Sequence, residues 1–546
     1  MFSSLIKKDY FKFFLIILSF FIVGFGQNAR ISFFGAISSV IGYSLFWMSL
    51  SIFDLKKNRF FLSLFWFCCV QFIQLSWMTS ISYQGIYILL VYSTLCIILG
   101  LQFAFVSCFV PIKKPLFLYQ ILAISGFWTI LEWQRLFWLS GFSWNPIGMS
   151  LANSYIPMQM AAIVGVYGLS FWVLFVNLLG YKAFFLERIR RNYLAWLMCA
   201  IFPYIFGFFH LLYHQKNFDN EKVLPVVLIQ TALKPEEKFP FQSNIHKFIY
   251  PAEQWARIFS FLKDEKLKKI DLIVFPEIAL PFEAFLAFYP KKIIDDLWEK
   301  NFNDLPDLHK QNNYMEKKVS NAFIAKMLSN YFQADVIIGL EDRNKLLNHN
   351  YNSAFCFNPH TENYQRYLKR ILVPLAEYFP FSWCEKLAKI YGIGGQFTPG
   401  KKPGVFFGKN TYGVSICYEE TYGNLIRECR RKGANIFVNL TNDVWFPFSK
   451  LPKQHFEHGR LRSVENGVPL LRSCNTGVTG GIDAFGRVVK ILKKKKKPAE
   501  MVSSALYLEL PIYNYKTLYT KWGDYFIICF SVLFLSFAGA CYLKKK

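Results

Sequence analysis

Three residues stand out by type and setting. Cys417 lies in GVSICYEE, at the end of an apolar run and four positions before Thr421, where a helix is expected to begin. A thiol at a helix start feels the positive end of the helix, which favours the thiolate. Alone it reads as a core cysteine, but two acids, Glu419 and Glu420, follow it closely, which is odd for the end of a core strand. Glu277 lies in VFPEIALP, with prolines at 276 and 281 on either side. Proline restricts the residue before it to extended backbone, so this segment is a short rigid loop whose carboxylate is either a general base for a thiol or an exposed loop acid. Lys369 lies in YLKRILVPLAEY, with Glu377 further along the same segment. A lysine beside a thiolate stabilises the oxyanion of a tetrahedral intermediate; taken alone, it is a surface lysine.

The elements expected to position these residues alternate in type. Strands are predicted at 226–230, 271–275, 335–340, 352–357, 412–417, 434–440, 468–474 and 480–489, and helices at 251–266, 315–333, 421–432 and 453–466. Strands alternating with helices make a layered α/β domain. Glu277 follows the second strand, Cys417 ends the fifth, and Asn442 and Asp443 follow the sixth. Ligands of such sheets bind beyond the carboxyl ends of the strands, so these groups are expected on one rim.

Upstream of this domain the chain changes character. Of its 546 residues 53% are hydrophobic and 60 are phenylalanine, and the first 213 positions hold Asp9, Asp54, Glu132 and Glu187 as their only acids. Charge-free stretches of about 20 residues cross a bilayer as helices. Seven spans are predicted near 10–27, 31–53, 60–79, 85–111, 116–133, 157–181 and 193–213, and an eighth near 523–543. The first is read as an anchor and not a cleaved signal, because it is long and lacks a small-residue cleavage site. With the N-terminus inside, the cytoplasmic segments hold Lys7, Lys8, Lys12, Lys56, Lys57, Arg59, Lys113, Lys114, Lys182, Arg188, Arg190, Arg191 and Lys544 to Lys546, whereas the short outer loops hold Arg30 and Arg135. That bias sets both termini inside and places 214–521 on the far side. The expected organisation is therefore a polytopic membrane domain, 1–213, an exported catalytic domain, 214–521, and a last span with a basic tail, 522–546.

The net charge of +26 fits anionic lipid headgroups better than nucleic acid, which an exported, membrane-tethered domain seldom meets. The lysine run 493–497 reads as a solvated loop. Five of the twelve cysteines, Cys356, Cys384, Cys417, Cys429 and Cys474, fall in the outer domain, and an odd number leaves at least one free thiol. No zinc-ligand spacing is present; His455 and His458 form an isolated His-x-x-His, so no metal and no cofactor are expected. Glu132 and Arg135, at a span end, are functional candidates by position or simply each other's partners. The aromatic loop 133–157, with Trp133, Phe137, Trp138, Phe142 and Trp144, suits an interfacial belt.

Together VFPEIALP, YLKRILVPLAEYFPF and GVSICYEE resemble the catalytic segments of the nitrilase, or carbon–nitrogen hydrolase, superfamily. The resemblance implies an α-β-β-α sandwich with Glu277 as base, Lys369 as oxyanion stabiliser and Cys417 as nucleophile. LVPLAEYFPF, CYEE, NLTNDVWF at 439–446 and the segment 454–486 further resemble the apolipoprotein N-acyltransferases, as do SGFSWNPIG and GVYGLSFWVLFVN in the membrane part. The chain departs from that family's pattern at Phe239, where tryptophan is usual, at Ala376 for glycine, at Ile371 for histidine and at Leu451 for glycine.

That resemblance implies a ping-pong enzyme of the bacterial inner membrane. A phospholipid gives a fatty acyl chain to Cys417 as a thioester, and the N-terminal amine of a diacylglyceryl-cysteine apolipoprotein takes it. Glu377, Tyr418 and Glu419 are expected to support the triad, and Phe239, Trp445, Phe446 and Trp144 to bind substrate. A monomer is expected, since one chain carries the whole triad. Three rival readings remain: a membrane-tethered amidase using water in place of the amine, a non-catalytic lipoprotein-binding protein, and a transporter. The last is disfavoured because the spans lack the buried charges of ion-coupled transport.

Overall fold

The computed structural model describes residues 9–27, 32–112, 114–218, 222–240, 242–265, 268–302, 317–382, 386, 396–493 and 498–544. Cys384, and the lysine run from 494 onward, lie outside the described residues. The chain divides into two compact units, one of residues 1–216, 448–457 and 516–546 and the other of 217–447 and 458–515.

The first unit is helical. Five of its described helices are long and apolar enough to cross a membrane: Phe33–Ile52, Ile88–Ser107, Ala161–Leu186, Arg190–Phe218 and Tyr525–Leu543. The other three expected spans are also helices. Asp9–Gly24 and Leu118–Trp133 have 16 residues each, and Lys56–Gln74 opens on Lys56, Lys57 and Arg59. At 1.5 Å per residue, 16 residues fall short of a hydrocarbon core of about 30 Å.

Two of these helices are irregular for identifiable reasons. Residues Ser38–Gly42 form a π turn, which leaves backbone groups without their usual partners. Asn177 supplies them: its Oδ1 accepts from the N–H of Tyr43 and Ser44, and its Nδ2 donates to the carbonyls of Ser38 and Ser39. Helix Ala161–Tyr181 bends at Gly165, whose φ of 63° is left-handed and whose missing Cβ leaves room for the Tyr519 ring. A polar cluster is buried nearby in sequence terms: the Asn145 amide bonds Gln71, Trp144 Nε1 donates to Gln454 Oε1 at 3.0 Å, and Gln454 Nε2 donates to the Gln74 carbonyl. Glu132 and Arg135 act on each other electrostatically, as considered above, and each also has a hydrogen-bond partner elsewhere. Glu132 accepts from the Ile147 N–H at 2.8 Å, and Arg135 Nε donates to Gln102 at 2.7 Å.

The second unit holds fourteen described strands. In chain order β1 is Val223–Gln230, β2 Leu272–Val274, β3 Tyr289–Pro290, β4 Lys318–Val319, β5 Asp335–Asn344, β6 His349–Phe357 and β7 Tyr364–Leu368. They are followed by β8 Val405–Phe407, β9 Thr411–Ile416, β10 Ile436–Thr441, β11 Leu470–Cys474, β12 Gly480–Ile482, β13 Val488–Ile491 and β14 Ser504–Pro511. One six-stranded sheet runs β14-β1-β2-β5-β6-β7, and the other β13-β12-β11-β10-β9-β8.

The alternation of side chains along β1 builds the layers. Val226 and Leu228 face the second sheet, in a core shared with Val274, Ile337, Val414, Ile416, Val438 and Leu440. Val227 and Ile229 face outward, where Trp255, Phe259, Trp298 and Leu328 of helices Pro251–Glu265, Lys291–Phe302 and Asn321–Phe332 cover them. Helix Gly423–Arg431 packs on the far face of the second sheet: a Cβ at Gly413 of β9 would come within 3.0 Å of Cys429. The layers are thus helix, sheet, sheet, helix, as expected. The stretch 480–489 is two strands and not one, because Asp483 Oδ1 caps a turn by accepting from the N–H groups of Phe485 and Arg487. Strands β3, β7, β8 and β14 and helix Lys291–Phe302 lie beyond the elements predicted, and β4 occupies part of the predicted helix 315–333, which begins only at Asn321.

Trp255 is fully buried in the outer core, and its Nε1 donates to Asn321 Oδ1. Trp255→Ala should lower the unfolding free energy by about 3–5 kcal/mol, read as an earlier midpoint in denaturant titration of the detergent-solubilised chain.

Candidate active site

The Glu277 loop leaves the end of β2 and is pinned to β5, with the Ala279 N–H on the Gly339 carbonyl and the Ala284 N–H on that of Glu341. Gly339 has to be glycine, since a Cβ there would lie 2.5 Å from the Pro276 oxygen and 2.8 Å from Glu277 Cα. Lys369 follows β7, held in line by its N–H on the Asn352 carbonyl of β6. Its Nζ lies 3.0 Å from Glu277 Oε1 and 2.8 Å from Glu377 Oε1. The Asn352 amide makes the same bridge, donating to Glu277 at 2.7 Å and to Glu377 at 3.0 Å. Glu377 in turn accepts from the Val373 N–H.

Lys369 is buried. Burial alone would lower its pKa, but Glu277 and Glu377 outweigh it and hold the ammonium well above the ordinary lysine range. A group whose folded pKa is raised contributes stability in full below its unfolded pKa, and that contribution is lost as pH rises through the folded value. The ion pair therefore persists across the neutral and mildly alkaline range.

Cys417 closes β9 with φ of 53°, a left-handed backbone that a residue with a Cβ adopts at a cost. It opens a tight turn, Cys417–Thr421, ahead of helix Gly423–Arg431. The helix begins at Gly423, and burial, reinforced by Glu277, pushes the thiol well above its ordinary range against the opposing Lys369. The resting sulfur is thus a thiol beside a carboxylate, with the Asn442 backbone N–H directed at it. Asn439 Nδ2 also fixes the backbone of Cys417 by donating to its carbonyl at 3.2 Å.

Glu419 ties this turn to the lysine segment. Its Oε1 accepts from the N–H groups of Arg370 and Ile371 and from the Tyr367 hydroxyl, and its Oε2 from the Ile416 N–H. Behind the turn Arg472 of β11, fully buried, donates from Nε to Glu420 at 3.1 Å and lies 3.6 Å from Asp443.

Glu277, Lys369, Glu377, Cys417 and Glu419 are thus brought together from three separate segments, the Glu277 loop, the Lys369–Glu377 segment and the Cys417–Thr421 turn. Tyr418 is half-buried on the nucleophile turn, its ring edge-on to Tyr422 at 5.3 Å. Phe239 is half-buried at the end of the short helix Pro235–Lys238, and Trp445 and Phe446 lie on the loop after β10, Trp445 exposed. Trp144 belongs to the other unit, where it is buried between Trp77 and His455. Sequence reasoning passed over Asn352 and Arg472. The one available signal was a polar residue opening or interrupting an otherwise apolar strand.

Residues 10–179 match the family model for the apolipoprotein N-acyltransferase N-terminal domain, and residues 242–497 that for carbon-nitrogen hydrolase. Curated relatives match almost end to end. The chain is 35% identical to the apolipoprotein N-acyltransferase of Chlamydia caviae, over 98% of each chain. It is 31% identical to that of Chlamydia trachomatis serovar D, over 97% of each.

Two outcomes follow from this geometry. Arg472→Leu leaves Glu420 and Asp443 buried without their cation and should cost about 3–5 kcal/mol, read in the same denaturant titration. Gly339→Ala displaces the Glu277 loop and should slow alkylation of Cys417 at neutral pH at least tenfold, measured by peptide mass spectrometry.

Proposed function

From the premise that the chain belongs to the apolipoprotein N-acyltransferase family, we propose that it transfers a phospholipid acyl chain, through a thioester on Cys417, to the N-terminal amine of diacylglyceryl-cysteine lipoproteins. The observation that carries the thioester route is the contact of Glu277, Lys369 and Glu377 around one buried ammonium, with Cys417 within their electrostatic reach.

In the first step Glu277 takes the thiol proton as the sulfur attacks the ester carbonyl. Lys369 and the backbone N–H of Tyr418 hold the oxyanion. The carbon–oxygen bond breaks, Glu277 returns the proton to the leaving alkoxide, and lysophospholipid departs. In the second step the neutral amine attacks the thioester and Glu277 takes one of its protons. The carbon–sulfur bond then breaks and the thiolate recovers that proton. Glu377 orients Lys369, and Glu419 keeps the lysine segment aligned with the nucleophile turn. Phe239, Trp445, Phe446 and Trp144 are the proposed contacts for substrate chains.

The membrane setting follows from the substrates. Each exposed CH₂ costs about 0.8 kcal/mol in water, so acyl transfer is best done without lifting the chains out of a bilayer. The apolar helices described above and the distribution of basic residues support a multi-pass protein of about eight spans in the bacterial inner membrane. In that reading both termini are cytoplasmic, 214–521 lies in the periplasm, and a monomer suffices. The amidase reading shares the triad and differs only in the acceptor.

Incubation of the solubilised enzyme with phospholipid should add one fatty-acyl mass, visible by intact-protein mass spectrometry. The adduct should be labile to hydroxylamine, absent from Cys417→Ala, stable in water and discharged by a diacylglyceryl-cysteine peptide. Rapid loss to water would favour the amidase, and no adduct on the wild type would sink the thioester route.

A further inference from the structure

The first unit holds an open cavity of about 380 Å³ at the start of helix Arg190–Phe218, lined by Arg190, Tyr193, Leu194, Trp196 and Leu197. Its size falls within the range of about 300–1,000 Å³ typical of small-molecule sites. The seat is preformed. Trp196 Nε1 donates to the Val40 carbonyl at 3.0 Å, and the Phe184 ring lies edge-on to both Trp196, at 4.9 Å, and Tyr193, at 5.1 Å. Gly180 makes room for the indole, since a Cβ there would lie 2.9 Å from its nitrogen. Asn192 fixes the start of the helix by donating to the Glu187 carbonyl at 2.8 Å. Most of this helix is uncovered by other described residues, and Leu194 and Leu197 are exposed. The cavity therefore opens outward and not into a core.

The lining is charged at one end and apolar at the other. A guanidinium stands at 190, and aromatic rings and leucines follow out to 197, about 10 Å further along at 1.5 Å per residue. A lipid has the same order of head, interface and chain, and Tyr and Trp favour the interfacial level. The charge is also one-sided. Residues 182–191 hold Lys182, Arg188, Arg190 and Arg191 against the single acid Glu187, and Lys182 takes that carboxylate at 3.2 Å. Arg188 Nε is turned back onto the Phe184 carbonyl, while Arg190 and Arg191 have no hydrogen bond or ion pair among the described residues. A zwitterionic head would bring an ammonium that finds no free carboxylate in this segment. An anionic head finds guanidinium groups, whose fork matches phosphate oxygens, in the setting that draws acidic lipids to membrane proteins. We infer that this cavity binds an anionic phospholipid, its phosphate on Arg190 with Arg191 beside it, and the upper part of one acyl chain against Trp196, Leu194 and Leu197. This lipid is a bound partner of the helical unit and is not consumed, in contrast to the donor proposed for Cys417.

The inference rests on the membrane setting of the first unit and not on the thioester route, and the experiment keeps the two apart. The full-length solubilised enzyme is given an equimolar mixture of phosphatidylglycerol and phosphatidylcholine, and retained lipid is counted by native mass spectrometry. The parent carries Cys417→Ala, so that no lipid is consumed. It is compared with the same chain bearing Arg190→Gln and Arg191→Gln, and with one bearing Lys56→Gln and Lys57→Gln, which removes equal charge from another helix of the unit. The parent should retain phosphatidylglycerol in preference to phosphatidylcholine. That preference should fall by roughly tenfold in the arginine double variant and persist in the lysine double variant. Both arginines are exposed, so the unfolding midpoint without lipid should match the parent's. No preference in the parent, an unchanged preference in the arginine variant, or an equal fall in the lysine variant overturns the inference. Failure of the wild type to become acylated at Cys417 would remove the thioester route and leave the lipid count standing.

Discussion

An ammonium sealed from water has to be neutralised where it sits, and much of the second unit is arranged to do that for Lys369. Two carboxylates from different loops converge on it, and the Asn352 amide of β6 donates to both of them. Each must arrive within hydrogen-bond range, because a buried charge missing one partner costs several kcal/mol. That demand explains local features that would otherwise be arbitrary. The absent side chain at Gly339 lets the Glu277 loop lie against β5, and the N–H of Val373 fixes Glu377. The carboxylate of Glu419 binds two successive N–H groups just past the lysine.

The same economy recurs behind the nucleophile. Arg472 and the acids Glu420 and Asp443 are all buried, so the floor of the site is ionic and not oily. Such a floor is stiff, since moving any member separates charges in a medium of low polarity. Cys417, held in a left-handed backbone, needs that stiffness to keep its strained conformation.

Glu277, Lys369 and Cys417 were singled out in the short segments VFPEIALP, YLKRILVPLAEY and GVSICYEE, but Lys369 alone read as a surface lysine and only the three segments together, as a resemblance, joined it to the other two. Asn352 was not singled out, because its importance comes from β6 lying beside β7, which no local spacing reveals. β14 escaped for the same reason, as it pairs with β1 from the opposite end of the domain, Val223 against Pro511. The acidifying influence of a helix start is opposed at Cys417 by burial beside a carboxylate. A helix end is worth about a kcal/mol or less near water, while burial next to a carboxylate acts more strongly and in the opposite sense. The alternation of apolar residues placed most strands, but it gave no sign that 480–489 folds back on itself at Asp483.

The π turn at Ser38–Gly42 has a bearing on biogenesis. Its two N–H groups and two carbonyls are satisfied by the side chain of Asn177, a residue synthesised well over a hundred positions later. Until that asparagine is made, an apolar environment favours the regular α-helix, which satisfies its own backbone. In the folded unit the π turn is therefore completed by a side chain from a helix more than a hundred residues further along the chain.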